Sequence, residues 1–235
     1  MIPSSVTHLF FDAGNTLVHV NMEVVSRTLA RHGIRLSPAE LWRGEHRARR
    51  AVDTPEVVGT TDDAARWRIY FEAILRECGI HRPEDVEPVL RDLHDYHRRA
   101  NLWEVVPPEV PGVLRALRGR LRLGVVSNSN GTVREKLRRT GLAGFFDLIV
   151  DSHEEGVEKP DPRLFRVALE RAGAVPARSA HVGDLYHVDV VGARAAGLEA
   201  ILLDPGDVHA DKPVRRIRSL RELVEGMDSP GPAPL

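Results

Sequence analysis

Asp12, Ser127, Lys159, Asp184 and Asp189 are the residues of this chain whose types and surroundings could do chemistry together. Three carboxylates make an oxygen-rich set suited to Mg²⁺, which prefers carboxylates, carbonyls and water. Ser127 and Asn128 stand where a strand runs into a helix, so a hydroxyl, backbone amides and a helix N-terminus are available to an anion. Lys159 precedes Pro160, which biases it to extended backbone just ahead of a helix start, a good position for stabilising a phosphate or carboxylate. Each stretch also has a plainer explanation. Asp12-Ala13-Gly14-Asn15 could be only an Asx turn, Ser127 to Gly131 only a cap cluster, Lys159 an exposed loop lysine, and Asp189 a complement to a helix dipole. Their common placement at strand ends is what makes them a candidate site.

The elements that must position them follow from hydrophobic pattern. Val6–Phe11 is apolar and uncharged, then breaks into Ala13, Gly14, Asn15 and Thr16: a fully buried strand emptying into a polar loop. From about Val18 to Ala100 the sequence is charged, Arg-rich and helical in period. Val24, Val25, Thr28 and Leu29 recur at helical spacing, and Ser37-Pro38-Ala39-Glu40 starts a helix running to about Val52. A third helix opens at Thr60 or Thr61 and a fourth follows Pro83, so about four helices and no strand are expected here. Trp42, Trp67, Tyr70 and Phe71 recur at helical spacing and read as the core of this insert. After a Pro-rich return (Pro107, Pro108, Pro111), strands near Leu121–Val126, Phe146–Val150, Ala180–Val182 and Ala200–Leu203 alternate with helices. That alternation predicts an α/β fold with a parallel sheet and helices on both faces. In such a sheet the strand ends lie along one edge, where Asp12, Ser127, Lys159, Asp184 and Asp189 can converge.

Composition narrows the function class. The 235 residues are 42% hydrophobic with a net charge of −1, which gives no reason to expect nucleic acid or a membrane as partner. The Arg clusters Arg47–Arg50 and Arg98-Arg99 are interleaved with acids and read as solvated helix faces. No apolar run approaches the roughly 20 residues that span a bilayer, no signal pattern opens the chain, and Cys78 is the single cysteine. A cytoplasmic protein is the expectation. Of 33 basic residues only Lys136, Lys159 and Lys212 are lysines, so the placement of Lys159 carries more information than that of any Arg. No Gly-x-Gly-x-x-Gly loop follows the first strand, which excludes the usual dinucleotide fingerprint.

Four stretches in order resemble the motifs of the haloacid dehalogenase-like (HAD) hydrolases. Phe11-Asp12-Ala13-Gly14-Asn15-Thr16-Leu17 is similar to their Asp-x-Asp-Gly-Thr-Leu, and Val125-Val126-Ser127-Asn128 to their second motif. Lys159-Pro160-Asp161-Pro162 is similar to the third, and Gly183-Asp184 with Asp189 to the fourth. The resemblance implies a Rossmann-like core (1–17 and 101–225), an inserted all-helical cap (18–100) closing over its active edge, and a disordered tail (226–235). It implies Asp12 as nucleophile, forming an aspartyl-phosphate, and Mg²⁺ held by Asp12, Asp184 and the Gly14 carbonyl. Asp189 would order the metal's water shell or Lys159. Ser127, the Asn128 amide and Lys159 would hold a small phosphorylated substrate, and Thr16 would anchor the loop by hydrogen bonding.

One position departs from that pattern. Phosphatases of the family carry a second Asp two residues after the nucleophile, as general acid and base; here it is Gly14. Such help is worth roughly 10²–10⁴ in rate and matters least for acyl or aryl phosphates. His19, His187 and Asn15 are candidate substitutes, and Arg43, His46, Arg49 or Arg66 could reach an anionic substrate from the cap. Dehalogenases need no fourth motif, so its presence argues against that chemistry, and a cap without lysine argues against Schiff-base phosphonate hydrolysis. A binding or regulatory protein on a disabled enzyme fold is the remaining alternative.

Overall fold

The computed structural model describes residues 2–61 and 63–225; the tail for which the sequence predicts disorder lies outside them. A six-stranded sheet is built around β1 (His8–Phe11), which pairs in parallel with β4 (Arg122–Ser127) on one side and β6 (Ser179–Gly183) on the other. Outside these lie β5 (Leu148–Asp151), β7 (Glu199–Leu203) and β8 (Arg215–Ile217), giving the order β5-β4-β1-β6-β7-β8 with every pairing parallel. The central strands read as unbroken apolar runs because both faces are covered. Leu9 and Phe11 point to a cluster with Val113, Leu114 and Leu117 of α6 (Val110–Arg118) and Leu137 of α7 (Val133–Arg139). Phe10 points to the opposite one, with Leu164, Phe165 and Ala168 of α9 (Pro162–Ala172) and Ala193 of α10 (Val191–Ala195). The four-residue α8 (Ser152–Glu155) follows β5 directly.

Between β1 and α6 the chain forms five helices: α1 (Met22–Arg31), α2 (Pro38–Val52), α3 (Pro55–Thr60), α4 (Asp63–Glu77) and α5 (Pro83–Ala100). The apolar faces of α1, α2, α4 and α5 share one cluster that includes Val25, Leu29, Leu41, Phe71, Ile74, Val89 and Leu93. Ser37 and Glu40 close the expected capping box at the start of α2. The sequence predicts about four helices here; α3 is the extra one, six residues started by Thr54, whose hydroxyl accepts from the Val57 amide. The expected absence of strands is corrected as well. β2 (His19–Val20) and β3 (Trp103–Val105) pair antiparallel where the chain leaves and re-enters the sheet. No local period announces two- and three-residue strands whose partners are eighty positions apart. Among the described residues no helix is long and apolar enough to cross a membrane.

Candidate active site

The parallel register brings the strand exits to one edge. Asp12 follows β1, and its amide continues the ladder to the Val182 carbonyl. Lys159, 2% exposed, reaches in from the loop before α9; its Nζ donates to Asp12 Oδ1 at 2.6 Å and to Asp189 Oδ1 at 2.7 Å. Ser127 Oγ, at the end of β4, donates to the same Asp12 oxygen at 3.3 Å. The lysine's backbone is fixed by Asn128, whose side chain accepts from the Lys159 amide at 2.7 Å and donates to its carbonyl at 3.0 Å. Asp161 caps α9 through the Arg163 amide, with Pro162 at the first helical position, as the sequence predicts.

Asp189 lies in a π-helical turn (Tyr186–Val190) and folds back beneath the end of β6. A Cβ on Gly183 would sit 2.1 Å from Asp189 Cγ, so that position has room only for glycine. Both Asp189 oxygens are committed: Oδ1 to Lys159 and to His181 Nε2 at 2.9 Å, Oδ2 to the Leu185 amide. Burial opposes its charge, but Lys159 and the His181 hydrogen bond outweigh that and hold the carboxyl below the usual range. Lys159 is the mirror case: burial works against its charge, while Asp12 and Asp189 push its pKa above the ordinary value. Burial raises the Asp12 carboxyl against the pull of Lys159. Burial also lifts Asp184 well above normal, against Arg49 and with help from Asp12 and Asp189.

The helical insert reaches this edge through a chain of directed hydrogen bonds. Trp103 Nε1 can only donate, and it donates to Asn15 Oδ1 at 3.0 Å, which turns Asn15 Nδ2 toward Tyr70 Oη at 3.1 Å. Tyr70 then donates to Glu45 Oε1 at 2.9 Å, which also accepts from Arg49 Nε at 2.9 Å. Arg49 Nη1 stands 3.6 Å from Asp184 Oδ2. Glu45 and Arg49 are both buried, on one face of α2. Asp53, just past α2, accepts from the Tyr186 and His187 amides at 2.7 Å each. Arg66 of α4 pairs with Glu158 at 2.9 Å, next to Lys159. Of the four insert residues that could reach the site, Arg49 and Arg66 are therefore the ones at this edge. Their sequence signal, an Arg on a helix rich in Arg, does not separate them from Arg43.

Several expected roles are corrected. Thr16 Oγ1 is buried without a hydrogen-bond partner, and Thr16 does not line the cavity. The loop is closed instead by backbone bonds from Leu17 and Val18 to the Ala13 carbonyl, and its side-chain anchor is Asn15, at φ 52°. His19 packs at a tilt against Trp42, and His187 is engaged by Asp53; neither lines the main cavity, so neither is placed to stand in for the missing second Asp. The anion site expected at the start of α7 is filled from within, because the Asp151 carboxylate accepts from the Gly131 and Val133 amides at 3.3 Å each. Asp151 and His181 escape sequence reading because an Asp after a strand and a His within one carry no spacing signal. Trp67 and Tyr70 pack in the helical core as expected, yet they also line the cavity.

The donors suit a hard divalent cation. Among the described residues no three His, Cys, Asp or Glu side chains converge as a metal cluster. Asp12, Asp184 and the Gly14 carbonyl nevertheless offer an all-oxygen set, and Mg²⁺ commonly uses one or two carboxylates and keeps several waters. The buried carboxylates Asp12, Asp184, Asp189 and Glu45 face the buried cations Lys159 and Arg49. That set holds more carboxylates than cations, an excess of negative charge that a divalent cation would neutralise.

A cavity of about 690 Å³ opens over these groups, lined by Asp12, Gly14, Ser127, Lys159 and Asp184 from the sheet edge and by Arg66, Trp67, Tyr70 and His97 from the helices. The chain is 29% identical over 230 residues to "Haloacid dehalogenase-like hydrolase domain-containing protein 3" of Danio rerio, covering 93% of this chain and 95% of that one. It is 40% identical over 164 residues to the phosphoserine phosphatase of Thermus thermophilus, covering 67% and 63%. The magnesium-bound structure of the putative HAD-hydrolase YfnB from Bacillus subtilis superposes with a TM-score of 0.67 at 21% identity, over 95% of this chain and 99% of that one. The model of the haloacid dehalogenase-like hydrolases matches residues 6–197, a span that holds the whole sheet edge from Asp12 to Asp189. With that edge assembled, the chain belongs to the haloacid dehalogenase-like hydrolases.

Proposed function

We propose that this hydrolase is a Mg²⁺-dependent phosphatase that cleaves a small phosphorylated substrate through an aspartyl-phosphate on Asp12. The observation that carries the reading is Lys159 Nζ bridging Asp12 at 2.6 Å and Asp189 at 2.7 Å inside the cavity. A buried lysine between two carboxylates favours the ionised form of Asp12 against the pull of burial and aims it, as an oxygen nucleophile at phosphorus requires. The phosphatase among its relatives supports the same chemistry. Asp12, Asp184 and the Gly14 carbonyl would hold Mg²⁺, which when bound supplies positive charge shielding the nucleophile from the phosphate. Asp189, with both oxygens engaged, positions Lys159 rather than the metal.

In the first step an Asp12 oxygen attacks phosphorus, and the bond from phosphorus to the leaving oxygen breaks with its electron pair on that oxygen. Ser127 Oγ and Lys159 Nζ stabilise the equatorial oxygens where charge is spread. In the second, water attacks the aspartyl-phosphate, the bond between phosphorus and Asp12 breaks, and the water's proton leaves to solvent. Residues 18–100 act as the cap that covers the site, with Arg49, Glu45 and Tyr70 seating it on the edge. The test is hydrolysis of acetyl phosphate and p-nitrophenyl phosphate with and without Mg²⁺. Turnover that needs Mg²⁺ and disappears in Asp12→Asn is expected; Asp12→Asn retaining wild-type turnover refutes the covalent role.

A further inference from the structure

Resting on that phosphatase reading, we propose that the substrate is an aryl phosphomonoester, a flat aromatic ring bearing the phosphate on a phenolic oxygen. Two independent features point there. The first is the absence of a second Asp together with what stands in its place. A Cβ on Gly14 would lie 3.5 Å from both Cδ1 and Nε1 of Trp103 and 3.9 Å from Asp12 Oδ2. An indole, not a proton donor to the leaving oxygen, therefore borders the Gly14 position where the second Asp would stand, and its N–H is already given to Asn15. Among the other candidates for the acid, His19 and His187 do not line the main cavity and Asn15 is an amide committed at both ends. A leaving oxygen that needs no proton fits such a site. Phenols ionise near pH 10, as tyrosine does, whereas an alkoxide is about as basic as hydroxide from water at 15.7.

The second feature is the wall of the cavity. Trp103, Tyr70, His97, Trp67 and His94 all line it and form a continuous path of rings leading away from Asp12. Centroids are 5.9 Å apart for Tyr70 and Trp103, 5.5 Å for His97 and Trp103, 5.9 Å for Trp67 and His97, and 5.3 Å for Trp67 and His94. These are the separations at which aromatic rings attract one another beyond area burial. Burial, reinforced by the nearby Lys136, lowers His97 to about 4, so at neutral pH it is an uncharged ring. A planar leaving group can add a ring to this tilted and edge-to-face path, with its phosphate at Asp12 and its phenolate released beside Trp103.

The experiment compares phenyl, benzyl, cyclohexyl and acetyl phosphate with Mg²⁺, separating an aromatic ring from a good leaving oxygen. Phenyl phosphate is expected to exceed cyclohexyl phosphate in kcat by about 10²-fold or more, the range of a missing general acid. The two aromatic substrates, phenyl and benzyl phosphate, are expected to have KM values about tenfold below the two non-aromatic ones, as one or two aromatic contacts supply. Trp67→Leu should lower the ratio of phenyl to acetyl kcat/KM by about tenfold. Gly14→Asp should raise kcat for benzyl and cyclohexyl phosphate more than for phenyl phosphate. Cyclohexyl and phenyl phosphate turned over with equal kcat, or KM values indifferent to the aromatic ring, overturn the aryl assignment and leave the phosphatase reading intact. No turnover of any of the four overturns both.

Discussion

Arg49 is the residue of the helical insert whose removal is most informative. Its guanidinium is 2% exposed, 2.9 Å from Glu45 and 3.6 Å from Asp184. Opposite charges about 4 Å apart attract by about 4 kcal/mol at an effective dielectric near 20, and removing one partner of a buried pair typically costs about 3–5 kcal/mol. Arg49→Met keeps most of the volume and strands two buried carboxylates, so a loss in that range is expected without metal. At about 2–4 °C per kcal/mol for a chain of this size, the melting temperature falls by about 6–20 °C. Mg²⁺ bound as proposed at Asp184 would supply part of the missing charge, so the loss should shrink by at least about 1 kcal/mol at saturating Mg²⁺. By reciprocity the variant should bind Mg²⁺ roughly tenfold more tightly for each 1.4 kcal/mol recovered. Urea unfolding of wild type and Arg49→Met at several Mg²⁺ concentrations, with calorimetric Mg²⁺ titration, reads both quantities. Equal stability losses with and without Mg²⁺, and unchanged Mg²⁺ affinity, refute the coupling between Arg49 and the metal site.

Gly183→Ala forces a methyl into Asp189, at 2.1–2.5 Å from three of its atoms, so it should displace the carboxylate that holds Lys159. We expect a loss of about 1–3 kcal/mol in urea unfolding and a fall in kcat larger than any change in KM. The fold should also weaken in acid. Burial first, then neighbouring positive charge, lowers His19 and His97 from 6.5 to about 4, so between those values the unfolded chain binds protons that the folded chain does not. The stability they contribute is therefore complete above pH 6.5 and is lost as pH falls toward 4. His97→Phe should flatten the dependence of the urea midpoint on pH over that window, and an unchanged slope would count against this assignment.

The order of apolar runs and polar strand ends by itself determined a parallel α/β sheet and the gathering of Asp12, Ser127, Lys159, Asp184 and Asp189 at one edge of it. Buried strands need continuous apolar sequence, and a polar residue at the exit of each is a local signal. The start of α2 at Ser37 and of α9 at Asp161 was legible for the same reason, since caps are written within four residues. Only the tertiary structure decided which of many arginines enters the site, because Arg43 and Arg49 differ in the direction their helix faces after packing, not in type. It also decided that Asn15 rather than Thr16 anchors the loop, and that Asp151 fills the amides at α7. The pairing of β2 with β3 and the approach of Trp103 to Gly14 belong to the same class. They join residues about eighty or more positions apart, and contacts of that range are fixed by how whole elements pack, which no local pattern records.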